Sequence, residues 1–130
     1  MVVVDASVLV AAAADSGPAG RWAEEVIEAR SLAAPHLLLV EATSILRRLE
    51  RAGDLTRMEA TAAQRSLLRL QLELSGFEPF SERVWELRDN VTAYDAWYVA
   101  LAEALGVPMA TLDARLVGAT GPRCEFLVPD

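Results

Sequence analysis

The sequence predicts a single α/β domain over residues 1–130, with a central parallel β-sheet of about five short strands sandwiched by α-helices. Three observations lead there. Strand and helix signals alternate along the chain, the order that right-handed crossovers turn into a parallel sheet. Val2-Val3-Val4 is β-branched with no polar alternation, as a strand buried on both faces requires. The length of 130 residues, 53% of them hydrophobic, supplies one sizeable core and no room for a second.

Each element has a local rationale. After the opening strand, Ser7 is placed to cap an apolar helix that ends around Asp15-Ser16-Gly17-Pro18. A second helix is expected over about Pro18–Arg30 and a brief strand at Leu32–Ala34. Pro35 suits the first turn of a third helix, because its missing N–H has no partner to lose there. Leu38, Ala42, Ile45, Leu46 and Leu49 form that helix's apolar stripe, closed by Gly53-Asp54. Thr56 with Glu59 is a capping-box pattern opening a fourth helix to about Leu72. A strand is expected near Leu74–Pro79, then a helix capped by Ser81 to about Asn90. Thr92 opens a helix that is apolar nearly all round, which implies packing on several sides; Gly106 ends it, with Pro108 beyond. Val107–Leu112 and Cys124–Val128 read as the last strands.

Composition excludes much chemistry. All twelve basic residues are arginines, so mechanisms built on a lysine ammonium, P-loop nucleotide binding and Schiff-base chemistry among them, are absent. The single histidine, His36, and the single cysteine, Cys124, exclude a disulfide framework and multi-thiolate zinc, and no nucleophile elbow supports a triad. A net charge of −7 disfavours passive coating of nucleic acid. No apolar run approaches a membrane span, and no basic region opens the chain, so no signal peptide and a cytoplasmic location are expected. What remains for catalysis is carboxylates, which usually work through a metal.

Parallel sheets bind ligands at the carboxyl ends of their strands. Asp5 directly follows the first strand and Asp113 directly follows Met109–Leu112. Either alone reads as a turn or helix cap; two at equivalent strand ends point to a site. Glu41 lies at the border of the third helix's apolar face with no basic residue three or four positions on, so no ion pair along the helix accounts for it. Asp95, in the first turn of the apolar helix, is either a helix-terminus carboxylate or one projecting from a buried element, which favours a nearby cation.

These positions sit in stretches that resemble a known family. Val3-Val4-Asp5-Ala6-Ser7-Val8-Leu9 is similar to the opening of a PIN domain, and Glu41 within Val40–Arg48 to its second acidic position. Thr92–Glu103, with Asp95, closely resembles the third, and Ala110–Leu116, with Asp113, the fourth. The match runs in order along essentially the whole chain, and is most similar to VapC-type toxins of toxin–antitoxin pairs. The resemblance implies a PIN-like fold and a Mg²⁺- or Mn²⁺-dependent endoribonuclease. It also implies RNA as substrate, a VapB-type antitoxin as partner and a homodimer.

Elementary electrostatics agrees with that reading. Two carboxylates ~4 Å apart at an effective dielectric near ~20 repel by about 4 kcal/mol, so a cluster of four is either partly protonated or neutralised by a divalent cation. An all-oxygen set suits Mg²⁺ or Mn²⁺, one ion or two, with waters completing the octahedron. Asp5, Asp95 and Asp113 are the expected main ligands, with Glu41 as a further ligand or the residue that orients the attacking water. Ser7 and Thr111, two positions from Asp5 and Asp113, are candidates to hydrogen-bond the carboxylates. Arg47, Arg48 and Arg51, with Arg88 and Arg115, are candidates to hold RNA phosphates. The aromatic residues Trp22, Trp85, Tyr94 and Tyr98 read as core or interface. The alternative from another class is a catalytically inactive PIN-like module that binds protein or RNA. A phosphatase or phospho-receiver is excluded in its usual form by the missing lysine.

Overall fold

The computed structural model describes residues 1–130. Its sheet contains β1 (Val2–Val4), β2 (Leu32–Pro35), β3 (Leu72–Ser75), β4 (Met109–Ala110) and β5 (Phe126–Leu127), in spatial order β3-β2-β1-β4-β5. Every neighbouring pair is parallel. The helices are α1 (Ala6–Ala14), α2 (Pro18–Ala29), α3 (Leu38–Arg51), α4 (Arg57–Leu67), α5 (Ser81–Glu86), α6 (Ala93–Leu105) and α7 (Ala114–Val117). No helix is long and apolar enough to cross a membrane.

The strand order explains the layering. From β1 the chain steps outward to β2 and then β3 through α1–α4, which pack on one another as one layer. It then crosses back over β2 and β1 to β4, and a right-handed crossover in that direction places α5 and α6 on the other face. There α6 packs against β1, β2 and β4. Val2, Val3 and Val4 are fully buried between the layers, and α6 buries Ala96, Tyr98, Val99, Ala100, Leu101 and Ala102 on nearly all sides. The topological switch, where strand order reverses, lies between β1 and β4; their carboxyl ends open the crevice in which such sheets bind ligands.

Several boundaries differ from expectation for local reasons. The cap of α1 is Asp5, whose side chain accepts from the Val8 N–H, and Ser7 lies inside the helix. Pro35 ends β2 rather than opening α3: its extended backbone pairs with Ser75, and the helix starts at Leu38. Strand β3 begins two residues earlier than expected because β2 sets its register, Leu32 opposite Leu72, so α4 stops at Leu67. Ser81 is the first residue of α5 rather than its cap, and its hydroxyl donates to the Glu78 carbonyl of the 3₁₀ turn Glu78–Phe80. The one-turn helix α7 was not foreseen, since four residues carry no periodicity. The capping box at Thr56 and Glu59 forms in full, and Gly106 ends α6 at φ 65°, a left-handed conformation.

A polar cluster fastens α5 to α6 away from the switch point. The Arg83 guanidinium donates to both Glu103 oxygens, at 2.7 and 3.1 Å, and to the Gly121 carbonyl at 2.9 Å. The Arg123 N–H also donates to Glu103 at 2.7 Å. Burial opposes ionisation of Glu103, but these donors outweigh it and hold its carboxyl below the usual range.

Candidate active site

Asp5 sits where β1 turns into α1, and Thr111, Leu112 and Asp113 sit where β4 turns into α7. Both aspartates are helix caps: Asp5 accepts from the Val8 N–H at 3.2 Å, and Asp113 from the Arg115 and Leu116 N–H groups at 3.0 and 3.4 Å. The capping and site readings are therefore compatible, because a cap at a strand's carboxyl end holds its carboxylate at the mouth of the crevice.

The two strand ends are stitched together by hydroxyls. Ser7 donates to Asp5 Oδ1 at 2.5 Å and accepts from the Leu112 N–H at 3.2 Å. Thr111, fully buried, donates to Asp5 Oδ2 and accepts from the Asp113 N–H at 3.0 Å. Asp5, itself buried, has both oxygens engaged by protein donors.

Glu41 enters from the first turn of α3 and Asp95 from the first turn of α6, where the Thr92 hydroxyl accepts from the Asp95 N–H. Tyr98 reads from sequence as a core or interface aromatic. It is 2% exposed, but its hydroxyl also donates to Glu41 Oε1 at 2.6 Å. Tyr98 follows Asp95 by three residues and so shares its helix face, but that spacing alone does not tell a site tyrosine from a core one.

The carboxylates feel one another. Burial, the largest influence, raises the Asp5 carboxyl, opposed by its hydrogen bonds to Ser7, Thr111 and Val8. Burial also raises Glu41, opposed by Tyr98 and reinforced by the charges of Asp95 and Asp5. Burial raises Asp95, reinforced by Asp113 and Asp5 and opposed by Thr92 and Arg115. Asp95 thus lies near enough to Asp5 and Asp113, and Glu41 near enough to Asp95 and Asp5, for their charges to act on one another.

The donor set is oxygen only and hard, the kind that suits Mg²⁺ or Mn²⁺ over zinc or copper. No three His, Cys, Asp or Glu side chains are set to bind one ion directly. A Mg²⁺ ion held here would therefore take one or two of these carboxylates directly and reach the others through water. Cys124 takes no part: burial, then the charge of Glu103, pushes its thiol up to about 11.

The candidate phosphate-binding arginines separate. Arg115, on α7, lies close enough to Asp95 to favour its ionised form. Arg48 lines a groove of ≈ 450 Å³ that begins at Ser7 and runs between α1 and α3. Arg47, six residues from Glu41, points about 120° around α3 from it and faces solvent. Arg88 lies over the exposed Trp85 ring at 4.2 Å, and Arg51 is exposed in the last turn of α3.

Comparison with known proteins agrees with this architecture. Residues 2–120 match the family described as the PIN domain. Ribonuclease VapC9 of Mycobacterium tuberculosis is 39% identical over 128 residues, 98% of each chain. Ribonuclease VapC1 of the same species is 40% identical, over 95% of this chain and 94% of its own. The crystal structure of Mycobacterium tuberculosis VapC20, titled a sarcin-ricin loop cleaving toxin, superposes with a TM-score of 0.67 at 17% identity. It covers 91% of this chain and 94% of its own, a likeness of fold. A family match over nearly the whole chain and end-to-end relatives near two-fifths identity place this protein in the PIN-domain family, among the VapC ribonucleases.

Proposed function

We propose that this protein is the ribonuclease toxin of a toxin–antitoxin pair, an endonuclease that hydrolyses RNA phosphodiesters with Mg²⁺ or Mn²⁺ held among Asp5, Glu41, Asp95 and Asp113. The observation that carries the reading is electrostatic: burial raises the carboxyls of Asp5, Glu41 and Asp95, neighbouring carboxylates add to this at Glu41 and Asp95, and Arg115 is the one cationic side chain that favours the ionised form of any of these three. Uncompensated charge of this kind costs stability unless a cation is bound, so it points to a site kept for chemistry. The 39–40% identical relatives named as ribonucleases supply the reaction class.

When bound, the ion supplies a water of lowered pKa and neutralises charge developing on the phosphate. The chain's own residues do the rest. Asp5, fixed by Ser7, Thr111 and Val8, is the rigid anchor. Asp95 and Asp113 act beside it, directly or through water. Glu41 is a further ligand or receives the proton of the attacking water on its free oxygen. Arg115, beside Asp95, and Arg48, in the groove that begins at Ser7, hold the flanking phosphates. A VapB-type antitoxin is the proposed partner, since an unrestrained ribonuclease damages its own cell, and the toxin is proposed to act as a homodimer in the cytoplasm.

The test is cleavage of structured RNA with Mg²⁺, Mn²⁺ or EDTA by the wild type, Asp5→Asn and Asp95→Asn. We expect cleavage with either metal, none with EDTA, and loss of about 100-fold or more in each variant. RNA binding without cleavage would establish the inactive binding module instead.

A further inference from the structure

Tyr98 is held on both ends. Its side chain is buried on α6, the helix that packs against β1, β2 and β4, and its hydroxyl reaches Glu41 on α3, 57 residues away in sequence. The bond therefore joins the two helical layers over the carboxyl end of the sheet.

The partners differ in stiffness. Glu41 is a long, half-buried side chain that loses rotamer freedom when fixed. Tyr98 has few rotatable bonds, and tight packing already fixes its ring. The tyrosine is the preorganised member and the glutamate the one restrained.

The bond also divides the labour of the carboxylate. Oε1 accepts from Tyr98, which leaves Oε2 without a protein donor. Asp5 contrasts with this, having both oxygens engaged.

We infer that Tyr98 is a positioning residue for the nuclease reaction: its hydroxyl fixes the Glu41 carboxylate so that a single oxygen, Oε2, serves the cation or the attacking water. The inference rests on the four-carboxylate reading of the crevice. It assigns Tyr98 a role that the apolar character of α6 conceals, and it makes Glu41 a one-oxygen participant.

The experiment compares wild type, Tyr98→Phe, Glu41→Gln and the double variant. Mn²⁺ affinity is read from free Mn²⁺ by electron paramagnetic resonance, alongside kcat and KM for RNA and the thermal midpoint without metal. For Tyr98→Phe we expect a loss of about 10–100-fold in Mn²⁺ affinity or kcat, with KM for RNA unchanged. In the Glu41→Gln background the same change should add nothing, since the hydroxyl acts through Glu41. A purely structural tyrosine would lower the thermal midpoint equally in both backgrounds and leave metal affinity intact, which would overturn the inference. So would a Tyr98→Phe variant that binds Mn²⁺ and cleaves like the wild type. Should Tyr98→Phe fail to fold, Tyr98→Leu and Tyr98→Met, which also lack the hydroxyl, carry the same expectation in the same two Glu41 backgrounds. A wild type that neither binds Mn²⁺ nor cleaves would overturn the nuclease reading itself; an active wild type with an unaffected variant overturns only the role of Tyr98.

Discussion

Asp5 receives hydrogen bonds from Ser7, Val8 and Thr111, and the Thr111 hydroxyl both donates to it and accepts from the Asp113 N–H. One buried oxygen thus couples two candidate carboxylates. Thr111→Val preserves shape and strand propensity but leaves an Asp5 oxygen and the Asp113 N–H without their partner. Urea denaturation should show a loss of about 1–3 kcal/mol, and RNA cleavage should fall by about 10–100-fold. An unchanged midpoint would mean that water replaces the hydroxyl. Asp5 was legible as a candidate because it follows Val4 directly in sequence. Tyr98 was not legible as a site residue: in a helix rich in Ala, Val and Leu, a phenol reads as one more core or interface ring, and only the approach of α3 gives its hydroxyl a partner.

At the scale of elements, α2 depends on a residue that sequence reading passed over. Gly20 is buried where α2 starts, and a Cβ there would lie 1.7 Å from the Asp15 carbonyl oxygen and 2.9 Å from that of Ala11. Both obstacles are backbone and cannot swing aside. Alanine gains roughly 1 kcal/mol in helix propensity, but overpacking of this kind costs about 1–3 kcal/mol or more. Gly20→Ala should therefore destabilise, with a lowered urea midpoint as the readout. Elements with strong local signals, such as the Thr56–Glu59 capping box, the Gly106 stop and the valine strand, were legible. The start of α3 was not, because Pro35 is equally at home at the end of a strand, and pairing with β3 decides between them.

For the whole molecule, two groups of carboxyls act on stability with opposite sign. Asp5, Glu41 and Asp95 have raised values, so the folded chain binds protons more tightly than the unfolded one. Stability then falls as pH rises from the ordinary carboxylate range through those raised values. Glu103 is lowered, so its contribution is present above its unfolded value and lost as pH falls through the folded one. Together they place the maximum stability of the metal-free protein on the acid side of neutrality. Thermal melts in EDTA between about pH 4 and 8 should show the midpoint falling toward neutral. Mg²⁺, binding the folded chain alone, should restore it, and Asp95→Asn should flatten the decline. A midpoint that climbs steadily to neutrality in EDTA would contradict the charged crevice.

The amino-acid order by itself determined the α/β class, most of the helices and the candidacy of four acidic side chains, because periodicity, capping and adjacency to a strand are local properties. Tertiary structure decided what depends on contacts across the chain: the register that ends α4 and begins β3, the Tyr98–Glu41 bond, and the approach of Arg115 to Asp95. The reason is physical: the strand order reverses between β1 and β4, which sets Asp5 and Asp113 at neighbouring strand ends, and only packing of α3 and α6 decides what faces them.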